Sequence, residues 1–337
     1  PLDYYVQWKV DPTATILIGR ATSLVALLVV TLVAMLVGRR LAGVPGGVLA
    51  GLLCVASPMF LRHSQLVEPD SLVALFSALA LLWLLRIARD GRPADYLWCG
   101  IWIGLGAASK YTPGLLALSV WAVHLDRIRT ESGSLRFAGL EDRRLWIAAA
   151  GALGIFALTN PYLITNLSVL RRDFAYQAEH MKSGHFGHAA HGLGYGRYLL
   201  HVLPQALGWL GFLAGILGLV GGFKDRRGGR VLAWYTLPYL VVLGAFSTSF
   251  DRYMLPVVLP FAIAAALLLR RLQPRPLLWS LAFVGLLMQP ALASIEFQRL
   301  QSTPGTRELA AAWVAENVDR EVESLAMEFH GPDLVFG

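Results

Sequence analysis

The residues that could do chemistry gather in a few short stretches of an otherwise apolar chain. Arg62-His63-Ser64-Gln65-Leu66-Val67-Glu68-Pro69-Asp70 joins two apolar runs and puts four ionisable groups into nine residues. Carboxylates there can exchange protons or hold a cation; equally, Asp70 can cap the helix that follows, near its positive dipole end. Lys110 opens Lys110-Tyr111-Thr112-Pro113-Gly114, between two short apolar runs. An ammonium at membrane depth must pair with an anion or snorkel to the interface. Phe250-Asp251-Arg252-Tyr253 stands at another helix start, where a lone Arg can serve as an interfacial anchor. His180, His185, His188 and His191 fall within twelve residues of a Gly-rich stretch that runs on to Arg197-Tyr198. Imidazoles so placed could ligate a divalent metal or hydrogen-bond a phosphate, but the spacing matches no closed zinc site.

The elements that must position these groups are hydrophobic helices. Of 337 residues, 56% are hydrophobic and only 15% charged, against roughly a quarter charged in a soluble domain. Crossing ~30 Å of hydrocarbon takes about 20 apolar residues as helix. Eight runs read as such spans: 16–38, 44–61, 70–88, 145–163, 201–222, 231–248, 254–271 and 276–295. They are continuous rather than alternating, which favours helices over a barrel. Two further runs, 96–109 and 112–125, are short, and the Pro113-Gly114 breaker lies at the start of the second. They either cross with little tilt or turn below the surface as a hairpin lining a cavity. Leu167, Leu170, Phe174, Ala178 and Met181 recur at helical spacing, as in an amphipathic helix lying in the interface. Cys54 and Cys99 lie in or beside spans and make no CxxC pair.

Charge sorts the loops. Segments 38–43, 86–96, 126–144, 223–230 and 270–276 hold 2, 3, 5, 4 and 3 Lys/Arg, 17 of the chain's 29. The positive-inside rule makes them cytoplasmic, and this explains the net charge of +7 without nucleic acid. Trp83, Trp98, Trp121, Trp146, Trp234 and Trp279 lie near the same ends, as an aromatic belt requires. The opposite, outer face then carries cations (Arg62, Lys110, Arg197, Arg252), carboxylates (Glu68, Asp70) and histidines, while span centres are nearly free of charge. An ion-coupled transporter would place such groups nearer the midplane. One polar face suits chemistry on a substrate with an anionic head group and a lipid tail. After Glu296 a soluble segment begins: Thr303-Pro304 can cap a helix to Asn317, and Leu325, Met327 and Phe329 alternate like a strand.

At these residues the sequence resembles the polyprenyl-phosphate-dependent glycosyltransferases of the GT-C fold. Nearest in pattern are glycosyltransferase family 39, the protein O-mannosyltransferases and the lipid A aminoarabinose transferases. Pro1-Leu2-Asp3-Tyr4-Tyr5 is similar to the "PPL-x-Y" end of the family's first extracytoplasmic loop. Gly19-Arg20 and Arg39 to Gly43 bracket the next span. Ser57-Pro58 through Asp70 resembles its third-to-fourth span turn, Gly104 to Lys110-Tyr111 its "GLA-x-x-TK" segment, and Arg252 to Pro256 its "RY-x-x-P" helix start. Thr306-Arg307 to Trp313, then Glu328 to Pro332, resembles the opening of its C-terminal domain. The fold class implied is an all-α polytopic membrane protein (GT-C-like) with the start of an extracytoplasmic α/β C-terminal domain. The membrane domain is expected over 1–297 and the soluble one over 298–337.

The resemblance implies an inverting transfer of a sugar from a polyprenyl phosphate to a lipid, glycan or protein acceptor, on the extracytoplasmic face of the cell membrane. The family's general base, an acidic residue of the first loop, is expected upstream of Pro1, so the chain reads as a segment of a longer protein. Asp70 and Glu68 are expected as secondary acidic residues, and Lys110, Arg252, Arg197, Arg62 and Tyr253 around the donor phosphate. A divalent metal on His185 and His188 stays open, as does a second reading, a transporter or flippase of a lipid-linked substrate. A scaffold role leaves Lys110 without a reason.

Overall fold

The structure, a computed structural model, describes residues 12–132, 139–183, 193–224 and 228–318. Every regular element among them is helical, with no strand. The chain forms two compact units, Pro1–Ala291 and Leu292–Gly337.

The first unit opens with α1, Thr13–Val55, which is one element by hydrogen bonding and two by shape. Gly43 has φ 78°, a left-handed conformation open mainly to glycine, and the chain doubles back there beside Pro45. Small residues let the two arms touch: a Cβ on Gly47 would lie 2.7 Å from the Met35 carbonyl oxygen. This is the pair of spans that the Arg39-Arg40 turn separates in the sequence. After α2, Pro58–Ser64, and a five-residue turn comes α3, Asp70–Arg89. Asp70 stands in its first turn and Arg86 and Arg89 in its last, each sign at the dipole end that favours it.

The two short runs are both helical and longer than expected, α4 over Pro93–Ser109 and α5 over Leu116–Ser132. Pro93 opens α4 and the Asp95 carboxylate accepts the Arg92 N–H at 3.0 Å, so the helix starts three residues before Tyr96. It stops at Lys110, which is fully extended (φ −166°, ψ 142°), before a 3₁₀ turn over Thr112–Leu115 leads into α5. At Gly100 and Gly104, four apart on α4, a Cβ would lie 2.0 Å and 2.4 Å from carbonyl oxygens of Ala148 and Ala152. α4 therefore presses directly on α6, Arg143–Thr159, as small-xxx-small pairs permit. The run to Leu163 breaks at Asn160 and restarts as α7, Pro161–Thr165; α8 over Leu167–Ser183 is the expected amphipathic helix.

α9, Leu203–Gly222, continues a π-turn over Tyr198–Val202, and α10, Gly229–Pro238, runs into another over Tyr239–Leu243. A 3₁₀ turn over Asp251–Met254 feeds α11, Leu255–Leu269. Thirteen of α11's fifteen residues are buried, so it is the central helix of the bundle. α12, Pro276–Gln301, and α13, Thr306–Asn317, follow. Five helical stretches among the described residues are long and apolar enough to cross a membrane: Thr13–Val55, Asp70–Arg89, Tyr195–Gly222, Asp251–Leu272 and Pro276–Asn317. Helices apolar on all sides, with leucines exposed along their flanks, belong to a multi-pass membrane protein. α13 ends where expected but starts at Thr306, because the Glu308 carboxylate accepts the Gly305 N–H at 3.0 Å rather than Thr303-Pro304 capping it. The Leu325–Phe329 segment and Glu328 to Pro332 lie outside the described residues.

Candidate functional site

Four helix ends meet around Asp70. The turn before it is fixed from both sides: Ser71 Oγ donates to the His63 carbonyl at 3.1 Å, and Ser23 Oγ of α1 donates to Leu66 O at 2.7 Å. Val67 fills the space over Gly19, where a Cβ would lie 2.6 Å from a Val67 methyl. That close approach is a reason for glycine in the Gly19-Arg20 pair. His63 Nδ1 and Glu68 Oε1 are hydrogen-bonded. Burial pushes the Glu68 carboxyl up, but the His63 hydrogen bond and charge outweigh it and hold it below its ordinary value.

Asp70 is 3% exposed at its side chain. Its carboxylate makes no cap; instead Oδ1 accepts from Lys110 Nζ at 2.7 Å. The capping role open to it in the sequence is thus not the one it takes. The extended backbone at Lys110 releases that side chain from the face of α4 and lets it reach α3. The ammonium also lies 4.8 Å from the centre of the Tyr253 ring, a cation–π contact. Arg252 Nε stands 3.9 Å from Asp70 Oδ2, and its guanidinium lies 4.4 Å from the Phe250 ring centre. One buried carboxylate therefore faces two cations from two other elements.

Arg197 extends the array. Its Nη2 donates to Asp251 Oδ1 at 2.5 Å, next in the chain to Arg252. The Nε atoms of Arg197 and Arg252 and the Tyr198 hydroxyl are buried and accept or donate no hydrogen bond among the described residues. Such orphaned donors are uncommon in a folded interior. Three cations (Lys110, Arg197, Arg252) share two carboxylates (Asp70, Asp251), because Glu68 is taken by His63. The array has donors to spare, which is what an incoming anion needs.

α8 is tied to both sides of this array. The Phe174 ring lies 4.4 Å from that of Tyr111, and the Tyr253 hydroxyl contacts Met181 Sδ at 3.7 Å. Sequence reasoning brought Glu68, Asp70, Lys110, Arg197, Arg252 and Tyr253 to one face, and the structure joins all six in two linked groups. Arg62 is exposed on α2 and forms no ion pair among the described residues. His185 and His188 lie outside the described residues; within those, no cluster of three or more metal-ligating side chains occurs. Asp251 and Met181 were missed as partners. Asp251 shows a signal in its position beside Arg252, whereas the Met181 contact needs the fold.

The other end of the bundle is also rich in cations, but they are spent differently. Arg127 Nη1 donates to Ile87 O, Arg144 Nη1 to Gly91 O, Arg230 Nε to Phe223 O and Arg270 Nη1 to Leu41 O, at 2.8–3.2 Å. These carbonyls belong to the last turns of helices or the residues just after them, whose acceptors lack intrahelical partners. Asp126 pairs with Arg230 and Asp142 with Arg144, both at 2.6 Å. Hydrogen bonding to Arg144 holds the Asp142 carboxyl below its usual range.

Residues 14–157 match the family model described as dolichyl-phosphate-mannose-protein mannosyltransferase. No curated protein sequence matches the chain. Two solved structures share its fold, both of ArnT from Cupriavidus metallidurans. The apo form has a TM-score of 0.57 at 19% identity and covers 88% of this chain. The form bound to undecaprenyl phosphate has a TM-score of 0.58 at 18% identity and also covers 88%. The match takes in 54% and 55% of those chains, so this chain spans about half the length of ArnT. The fold is thus the GT-C fold that the sequence motifs point to, and the resemblance to the polyprenyl-phosphate-dependent glycosyltransferases holds.

Proposed function

We propose that the chain is the membrane part of a glycosyltransferase that moves a sugar from a polyprenyl-phosphate donor to a lipid, glycan or protein acceptor, with inversion and on the extracytoplasmic face. The observation that carries this is the pair of cations on one buried carboxylate, Lys110 and Arg252 on Asp70, with unused donors on Arg252 and Arg197. The undecaprenyl phosphate bound to ArnT supports a donor of that kind. The sidedness rests on the positive-inside rule: the arginine end is cytoplasmic and the Asp70 end faces out.

In this reading the donor phosphate docks on the Lys110 and Arg252 head groups, and the prenyl chain stays in hydrocarbon. The acceptor oxygen attacks the anomeric carbon from the side opposite the phosphate. The carbon–oxygen bond to the phosphate breaks and the phosphate leaves with the electron pair. Lys110 and Arg252 stabilise that growing charge, and Arg197 is within the same array. One displacement inverts the anomeric centre. The acceptor proton goes to a general base other than Asp70 or Glu68, whose carboxylates are already engaged by Lys110 and His63. Asp70 acts as the fixed counter-ion that positions Lys110 and Arg252.

Full-length protein in membranes, given polyprenyl phosphates carrying labelled hexoses or pentoses, tests this by the appearance of labelled acceptor. Lys110→Ala is expected to lose on the order of 10²–10³-fold in rate, as removal of one transition-state donor does. Undiminished transfer in Lys110→Ala removes the site assignment. Movement of the labelled lipid between leaflets with no covalent product replaces the transferase with a flippase.

A further inference from the structure

A composite cavity sits away from the Asp70 array, where Arg270 and Arg271 close α11. An apolar groove of about 540 Å3 runs between α9, α11 and α12, walled by leucines such as Leu213, Leu217, Leu281 and Leu286. Its lining is aliphatic or glycine throughout except for Arg271. Leu217 and Leu281 are about 60% exposed, so the groove opens on the flank of the bundle. Arg271 and Leu268 also line a second cavity of about 300 Å3, bounded by Gly218, Gly221, Gly222 and Arg270. There Gly221 leaves room for the guanidinium: a Cβ on it would lie 3.0 Å from Arg271 Nη2. Arg270 is committed to the Leu41 carbonyl, whereas Arg271 is exposed and forms no ion pair among the described residues.

We propose that this groove and Arg271 form a binding site for an anionic phospholipid, separate from the donor site. An acyl chain lies in the groove and the phosphate rests on the Arg271 guanidinium. A wall without hydrogen-bonding groups offers nothing to a polar segment and suits hydrocarbon. The single charge at one end fixes which way the amphiphile lies. Basic pockets between transmembrane helices hold anionic head groups in this manner, and the volume is that of a small-molecule site, ~300–1,000 Å3. A zwitterionic head group brings its own cation towards Arg270 and Arg271, so charge complementarity selects the anionic lipid. The exposed apolar residues of the lining are Leu210, Leu213, Leu217 and Leu281, whose bulk keeps a partner helix from the close approach that glycine and alanine allow.

Native mass spectrometry of the full chain, exchanged into micelles with either phosphatidylglycerol or phosphatidylcholine, tests the site by counting retained lipid. Wild type is expected to retain phosphatidylglycerol about fivefold better, the ~1 kcal/mol that one basic residue contributes near an anionic head group. Arg271→Gln abolishes the preference, Arg271→Lys keeps most of it, and Arg39→Gln in another basic turn leaves it unchanged. Gly285→Leu fills the groove and removes both lipids; a Cβ there meets only Leu210 Cδ1, at 3.6 Å, so the variant folds, which its thermal midpoint checks. Equal retention of both lipids by wild type, or a preference that survives Arg271→Gln, overturns the proposal. A dimer mass lost in Gly285→Leu, with no lipid in wild type, gives the groove to a second copy of the chain.

Discussion

The two ends of the bundle hold the same kinds of side chain and use them in opposite ways. At the arginine end, Arg127, Arg144, Arg230 and Arg270 each donate to a backbone carbonyl at or just past a helix end. Those cations complete the hydrogen bonding of the fold. At the Asp70 end no cation among the described residues caps a helix in this way. Lys110 and Arg252 converge on a carboxylate that is itself at a helix start, and the Nε atoms of Arg197 and Arg252 stay unsatisfied. An interior that leaves donors unmet is less stable than one that satisfies them. In the proposed reading, the difference separates cations that face backbone carbonyls from cations that share a carboxylate and would meet the donor phosphate.

The largest expected effect comes from removing the shared anion. Asp70→Asn leaves Lys110 and Arg252 without the buried carboxylate they share. Breaking one side of a buried pair is worth roughly 3–5 kcal/mol, so a marked drop in thermal midpoint is expected, with transfer activity lowered by about two orders of magnitude. Asp70→Asn combined with Lys110→Gln relieves the unpaired charge. Stability should then recover while activity does not. Recovery of both would mean that the array is structural like the arginine end, and the contrast would fail.

A smaller effect tests the His63–Glu68 pair. The folded-state value of Glu68 lies below its ordinary one. The pair thus stabilises the protein above the ordinary carboxylate value of ~4.3, and the stabilisation is lost as pH falls through the lower folded value. Glu68→Gln removes that dependence. Between pH 7 and pH 4, its thermal midpoint should fall by a few degrees less than that of wild type. An identical acid response in both proteins would detach Glu68 from the turn that presents Asp70.

Much of this arrangement is legible in the sequence, and the unreadable parts have physical causes. Membrane helices announce themselves because lipid forces every backbone group to pair within its own segment. That is why the spans, the amphipathic α8 and the turn at Arg39-Arg40 could be placed. Helix ends are harder. Pro93 with Asp95 moved the start of α4, and Gly305 with Glu308 moved that of α13, since caps depend on side chains three residues away. Lys110 stood out because a lone ammonium in an apolar run needs an anion. Its partner was ambiguous, because Asp70 reads equally well as a cap until α3 and α4 are packed. Met181 against Tyr253 is a contact between residues 72 apart, and no local pattern encodes it. Arg62 shows the converse: its type and neighbours fit the array, but α2 turns it outward.

The smallest effect belongs to the arginine end and sharpens the comparison from that side. Asp126 and Arg230 are 2.6 Å apart with side chains 27% and 20% exposed. Screening and side-chain entropy hold such pairs to about 0.2–1 kcal/mol. A double-mutant cycle with Asp126→Ala and Arg230→Ala should return a coupling in that range. Arg230→Ala alone should be the more destabilising, by about 1 kcal/mol, because Phe223 O also loses its donor. Transfer activity per folded molecule should stay within about twofold of wild type, since no reacting group changes. A deep loss of activity in a folded Arg230→Ala protein would place catalytic machinery at both ends. The surplus of donors at Asp70 could then no longer be read as the mark of the site.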